Sequence, residues 1–174
     1  MQDVIAFIEP IIPALRRYAF ALVGQDGDAD DLVQDCLERA IRRWGQRRAD
    51  GDVRTWLFSI LHNLAVSRFR RARRRGPGVA LEDAPVSALA TLPAQEDVVR
   101  RRELMRALDQ LSEDQRSVLL LVSVEDLTYA EVAKVLGLPL GTVMSRLSRA
   151  RETLRKLMDG QPAKAVRPPL KIVR

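Results

Sequence analysis

Residues 128–155 read TYAEVAKVLGLPLGTVMSRLSRARETLR. Thr128, followed three residues later by Glu131, is a capping-box pattern: the hydroxyl can take an orphan backbone N–H while the carboxylate reaches back to the cap. Val132, Val135 and Leu136 then supply a short apolar stripe, and Gly137 can adopt the positive φ that ends a helix. After Leu138-Pro139-Leu140-Gly141 a second helix is expected from Thr142. Its apolar side is Val143, Leu147, Ala150 and Leu154, at i, i+4, i+7 and i+11. Ala133 is small where two helices joined by so short a turn must approach closely. These features together predict a helix-turn-helix, whose second helix turns an outward face to the surroundings.

Reading outward from this unit, Ser112-Glu113-Asp114-Gln115 is another capping box, followed by the apolar run Val118 to Val122. Upstream lies GPGVALEDAPVSALATLPAQE, residues 76–96, with three prolines, two glycines and no Lys or Arg. Prolines at that density prevent a continuous helix, and the stretch lacks the apolar mass of a core, so it reads as a flexible linker between two domains. Before it, residues 28–44 place Leu32, Val33, Cys36, Leu37, Ala40, Ile41 and Trp44 on one broad apolar stripe. A helix over 53–73 buries Trp56, Leu57, Ile60, Leu61 and Leu64, with Asp52 as N-cap; an earlier one near 13–23 presents Leu15, Tyr18, Ala19 and Leu22. No segment has a period of two. The expected fold is all-α: two small helical domains, 1–75 and 97–160, a linker at 76–96 and a basic tail at 161–174.

The chain has 174 residues, 47% of them hydrophobic, and a formal net charge of +6. A modest basic surplus points weakly to a polyanionic partner. Its distribution says more: six arginines fall within the eight positions 68–75, and the tail from Gln161 carries four basic residues and no acid. One Cys and one His cannot make a structural zinc site or an intrachain disulfide, and a disulfide-free chain fits a reducing cytosol. No apolar run approaches bilayer thickness, and MQDVIAFIEP does not read as a signal peptide. A cytoplasmic protein without membrane insertion is expected. Gly-rich phosphate loops, nucleophile elbows and metal-ligand clusters are missing, so no enzyme activity, cofactor or metal is expected.

Chemistry can then sit in only a few places. The outward face of the last helix carries Ser145, Ser148 and Arg149, with Thr142, Met144 and Arg146 at its start and flank. Arg149 suits a guanine edge, and the serines suit bases or phosphates; the same residues would also make an ordinary solvated helix face. Arg68, Arg70, Arg71, Arg73, Arg74 and Arg75 suit phosphates, with strong salt dependence and little sequence information; the bland alternative is a solubilising helix end. Asn63 could read a base edge or simply meet water. Asp31, Asp35 and Glu38 lie opposite an apolar stripe, where charges normally just face solvent. Trp44 and Trp56 read as core, Cys36 as a small buried hydrophobe, and His62 as a passive surface residue.

Three pieces of the chain, DADDLVQDCLERAIRRW (28–44), VRTWLFSILHNLAVSRFRRARR (53–74) and LDQLSEDQRSVLLLVSVEDLTYAEVAKVLGLPLGTVMSRLSRARETLR (108–155), resemble the extracytoplasmic-function (ECF) sigma factors of the sigma-70 family in bacteria. They cover nearly the whole chain in the family's order. The resemblance implies a region-2 helical bundle and a region-4 helix-turn-helix. It implies that Asp31, Gln34, Asp35 and Glu38 contact a β′ coiled coil of core RNA polymerase, with further contacts to the β subunit. It also implies that Asn63 helps capture an unstacked base of the −10 element, that Arg68, Arg70, Arg71, Arg73 and Arg74 hold nearby phosphates, and that the helix from Thr142 reads the −35 element of promoter DNA. Unstacking a base costs about a few kcal/mol, more than a small helical domain recovers alone, so activity is expected only on polymerase. An anti-sigma factor is an implied partner. One departure is the loop Arg47–Asp52, which offers no aromatic where relatives can place one against the flipped base. Two other readings stay open: a sigma-mimicking anti-anti-sigma protein, and a helix-turn-helix transcriptional regulator.

Overall fold

The computed structural model describes residues 2–47, 51–75 and 95–159. The linker from 76 to 94, positions 48–50 of the loop and the tail from 160 lie outside them. Among the described residues every regular element is helical. The N-terminal half comprises α1 (Gln2–Ile8), α2 (Ile12–Val23), α3 (Asp26–Arg42) and α4 (Val53–Arg75). The C-terminal half comprises α5 (Gln95–Asp109), α6 (Glu113–Ser123), α7 (Tyr129–Leu136) and α8 (Leu140–Met158). Two 3-10 turns, Glu9–Ile11 and Trp44–Gln46, complete the set.

Helices α2, α3 and α4 form a bundle because each carries an apolar stripe at helical spacing. Leu15, Tyr18, Ala19 and Leu22 of α2 meet Leu32, Val33, Cys36 and Ala40 of α3, and Leu57, Phe58, Leu61 and Ala65 of α4; all are buried. Tyr18 and Phe58 meet edge to face at 5.5 Å, a geometry worth about 1 kcal/mol beyond area burial. Gly24, at φ +77°, closes α2 by donating its N–H to the Phe20 carbonyl. Asp26 and Asp28 sit in the first turn of α3 and Arg39 and Arg42 in its last, each sign matching the helix dipole. Asp52 caps α4 as expected: its Oδ2 accepts the Thr55 N–H and hydroxyl, both at 2.7 Å. Burial pushes that carboxyl up, but the two Thr55 bonds, the Arg54 N–H and the Arg54 charge together hold it below the usual range.

In the C-terminal half both capping boxes form. The Gln115 N–H donates to Ser112 Oγ while Gln115 accepts from the Ser112 N–H, and Thr128 and Glu131 make the same exchange. Gly137 has φ +64° and ends α7 with its N–H on the Ala133 carbonyl. Helix α8 opens at Leu140, two residues earlier than expected, because Pro139 occupies the N-cap in extended conformation and Leu140 and Gly141 continue directly into the first turn. The other expected helix, 28–44, ends at Arg42, with Trp44 in the 3-10 turn beyond it.

The two halves are packed against each other, α2 on α6 and α4 on α7. The contact centres on Glu125, in the loop between α6 and α7, whose side chain has no exposed surface. Arg17 of α2 grips it through Nε at 3.3 Å and Nη2 at 3.0 Å. Arg54 of α4 donates to its carbonyl at 2.7 Å and to its carboxylate at 3.4 Å. The residue after it, Asp126, takes φ +52°, a left-handed turn that Asp tolerates better than most. Arg116 of α6 adds a bond to the Leu22 carbonyl at 3.2 Å.

Candidate nucleic-acid and partner interfaces

The acidic cluster of α3 is laid out as one exposed patch. Asp31, Gln34, Asp35 and Glu38 are all exposed, and at 100° per residue they share one side of the helix, opposite Leu32, Val33, Cys36 and Ala40. Gln34 donates to Glu38 at 3.3 Å, and Arg42 bridges to Glu38 at 3.2 Å, so the end of the patch is pre-arranged by its own neighbours. Exposed pairs of this kind add only tenths of a kcal/mol. Their effect is to orient the carboxylates.

The arginine run is divided by the helix. Asn63, Ser67, Arg70 and Arg74 fall at i, i+4, i+7 and i+11 and form one exposed stripe of α4, with exposed Arg71 beside it. Arg68 turns the other way, toward α3, where it meets Asp28 at 3.5 Å and Asp31 at 3.6 Å. Arg73 turns toward the C-terminal half and pairs with Glu113 at 2.9 Å. Arg75 belongs to the last turn, and nothing is described of its side chain. The run therefore splits into an exposed basic track and two intramolecular partners, a division that follows from the 100° phase of the helix.

Of the residues expected to form the outward face of α8, Met144, Ser145, Ser148 and Arg149 are exposed, with Thr142 half-buried beside them. Ser145 donates its hydroxyl to the Thr142 carbonyl at 3.1 Å. Arg146 differs from the rest: it is only 29% exposed and folds back onto Asp114 of α6 at 3.1 Å. Val143, Leu147 and Ala150 anchor the opposite side in the core. The outward face is thus a rigidly mounted strip with the exposed Arg149 guanidinium at its centre.

Several residues read as passive hold positions that matter. His62 is not on the surface. It is largely buried at the junction of the two halves, with Nδ1 3.2 Å from the Tyr18 hydroxyl, and burial pushes its pKa down to about 4 against a smaller upward pull from Asp114. Beside it a cavity of about 290 Å³ lies between α4 and α6, lined by Ala65, Phe69, Arg70, Arg73, Glu113 and Ser117 among others. Thr55 is buried at the Asp52 cap. Trp44 and Trp56 are half-buried rather than core, and meet edge to face at 5.9 Å, with Phe7 stacked on Trp44 at 6.0 Å. Cys36 is buried as expected, and burial raises its thiol to about 12, so it is no nucleophile.

Two family descriptions match this chain: the Sigma2 domain of PhyR over residues 8–62 and Sigma-70, region 4, over residues 101–154. A curated relative, the ECF RNA polymerase sigma factor EcfG of Rhodopseudomonas palustris, is 38% identical over 150 residues, covering 84% of this chain and 80% of its own. The chain belongs to the ECF RNA polymerase sigma factors. SigM of Mycobacterium tuberculosis is similar too, at 37% identity over 83% of this sigma factor and 71% of SigM. Among solved structures, the sigma factor RpoE of Bartonella quintana, crystallised with the anti-sigma factor NepR, matches with a TM-score of 0.77 and 31% identity. That match covers 91% of this chain and 98% of RpoE. CnrH, in complex with the cytosolic domain of CnrY, matches with a TM-score of 0.69 and 26% identity over 92% of this chain and 90% of that one. No helix among the described residues is long and apolar enough to cross a membrane.

Proposed function

We propose that this sigma factor docks on core RNA polymerase through the acidic face of α3, handles the −10 element with α4, and reads the −35 element with α8. Asp31, Gln34, Asp35 and Glu38 are assigned to polymerase. Asn63 and the track of Arg70, Arg71 and Arg74 are assigned to the opened −10 strand. Thr142, Met144, Ser145, Ser148 and Arg149 are assigned to the −35 duplex. Arg68, Arg73 and Arg146 join these DNA contacts after leaving their carboxylate partners. Residues 1–75 and 97–160 act as separate domains joined by 76–96, and the chain works in the cytoplasm as a binding subunit, without chemistry of its own.

The observation that carries this reading is the segregation of charge in a member of this family. The acidic patch occupies one side of α3, while the basic track and the Arg149 strip sit on other surfaces, so one partner of each sign can be engaged at once. The packed arrangement is then the form off DNA. Two elements about 25 positions apart are separated by roughly 85 Å of B-form axis, whereas Arg54 and Glu125 touch. The residues 76–96 reach up to about 70 Å when extended, and the domains themselves make up the remainder. An anti-sigma factor is the expected regulator, since RpoE was solved with the anti-sigma factor NepR.

A second reading has one observation in its favour: the N-terminal match is to PhyR, called an anti-anti-sigma factor in a solved complex with NepR. That structure is 19% identical and speaks to fold alone, while the relatives above 30% identity are sigma factors. Footprinting separates the two. Core polymerase plus this chain should protect a −35 segment and make −10 thymines reactive to permanganate. A chain that binds an anti-sigma factor but leaves core polymerase and promoter untouched would establish the mimic.

A further inference from the structure

The first two turns of α8 carry an unexpected pair. Leu140 and Met144, one helical turn apart and therefore on the same face, are 48% and 49% exposed. Neither packs against the hydrophobic core, although the neighbouring Leu138, Leu147 and Leu154 all do. Gly141 lies between them with nothing within 4 Å of where a Cβ would stand, which leaves bare backbone beside the two side chains. Two of the polar groups of the same two turns have partners within the chain in this packed form. The Ser145 hydroxyl donates to the Thr142 carbonyl at 3.1 Å, and Arg146 is held by Asp114 at 3.1 Å. The exposed cations, Arg149 and Arg151, come later along the helix.

In a helix-turn-helix the N-terminal end of the second helix enters the major groove most deeply. Polar contacts at that end fall to Thr142, Ser145 and a released Arg146, whereas the side chains of Leu140 and Met144 have nothing with which to satisfy the N7, O6, O4 or N4 groups of base edges. The one apolar feature displayed in the major groove is the C5-methyl of thymine. Met, unbranched and polarisable, can follow that methyl without demanding one backbone approach. Resting on the −35 assignment above, we infer that Leu140 and Met144 read thymine methyl groups in the −35 element, while Arg149 reads a guanine further along the same groove. At 100° per residue Met144 is neighboured by the exposed Ser148 and in phase with the exposed Arg151, so the pair borders a polar and basic surface and the occupant of the patch is the DNA edge itself. Methyl contacts at the leading base pairs then add to the polar contacts of Thr142 and Ser145.

The test uses holoenzyme, meaning the full chain assembled with core polymerase, and a promoter duplex that it selects. Each −35 thymine on either strand is replaced singly by deoxyuridine, which removes only the methyl, and competition binding is measured at fixed salt. At one or two positions the wild-type holoenzyme should weaken about fourfold, the value of about one buried methyl or methylene. The variant carrying Leu140→Ala and Met144→Ala keeps helix propensity, so it should bind the thymine duplex several-fold more weakly. It should also lose the thymine-over-uracil difference while keeping its dependence on the guanine read by Arg149. Insensitivity of the wild type at every thymine, or equal uracil penalties in wild type and variant, overturns the inference. A variant defective in binding core polymerase without DNA also overturns it, by assigning the patch to a protein contact. Failure of any holoenzyme to discriminate promoter from random duplex overturns the −35 assignment itself, and the methyl reading with it.

Discussion

Replacing Glu125 by Gln should open the molecule. The substitution keeps the shape of the side chain and the Arg54 bond to the main-chain carbonyl, but removes the charge that Arg17 and Arg54 share. Charge-assisted hydrogen bonds contribute about 1.5–3 kcal/mol each. Breaking a fully buried pair can cost about 3–5 kcal/mol, because the surviving charge is stranded. Here the arginines are 47% and 38% exposed, so each resolvates cheaply once released, and the low end applies. A weakening of the interdomain contact by about 2 kcal/mol follows, roughly a 30-fold shift toward the separated form. The assay is single-molecule energy transfer between dyes on Arg43→Cys and Asp159→Cys, two exposed positions in different halves. Native Cys36 can stay in place, since its buried thiol should not compete for label. Wild type should show a dominant high-transfer population that shrinks with salt as exposed guanidiniums are screened, and Glu125→Gln should be mainly low-transfer with unchanged helicity. Identical transfer histograms for the two proteins, with both folded, would refute the idea that Glu125 holds the halves together.

Three further outcomes follow from particular residues. Burial lowers the pKa of His62 in the folded chain to about 4, so the unfolded state binds a proton first and stability should fall as pH drops from about 6.5 toward 4; His62→Phe should flatten that part of a urea-midpoint-versus-pH curve, and an unchanged slope would disprove it. Gly137→Ala places a Cβ at φ +64° with no steric neighbour, so the cost is conformational, about 1 kcal/mol, and should appear as a lower Tm; Gly137→Asn should lose less. Arg70→Ala with Arg74→Ala should weaken holoenzyme binding to all promoters alike and reduce the salt slope by about one per lost phosphate contact, whereas Arg149→Ala should act on one base pair. Loss of selectivity from the first pair, or a uniform loss from Arg149→Ala, would reverse those roles.

What is legible in the sequence is whatever is encoded locally. The capping boxes at Ser112 and Thr128, the Asp52 cap and the Gly137 stop each depend on residues within three or four positions, and each is found where expected. Helices α1 and α5 escape a reading by periodicity for opposite reasons. The first is seven residues long, too short for a period to emerge, and α5, QEDVVRRRELMRALD, is so charged that its few apolar positions make a thin stripe. Glu125 is invisible in the sequence because VEDLT reads as any polar loop, and its partners lie 71 and 108 residues away. His62 looks like a surface residue for the same reason: it is covered by Tyr18, 44 residues away, and by the start of α6 in the other half of the molecule. The division of the arginine run, by contrast, is written in the helical phase of Asn63, Ser67, Arg70 and Arg74.

The central claim, that this chain confers promoter choice on polymerase, is tested most directly by run-off transcription. Bacterial core RNA polymerase is given a pool of upstream sequences from the source genome, with and without the chain. Discrete start sites should appear only when the chain is present, with upstream sequences that align on two shared elements. No chain-dependent transcript, from active core and folded protein, would contradict it.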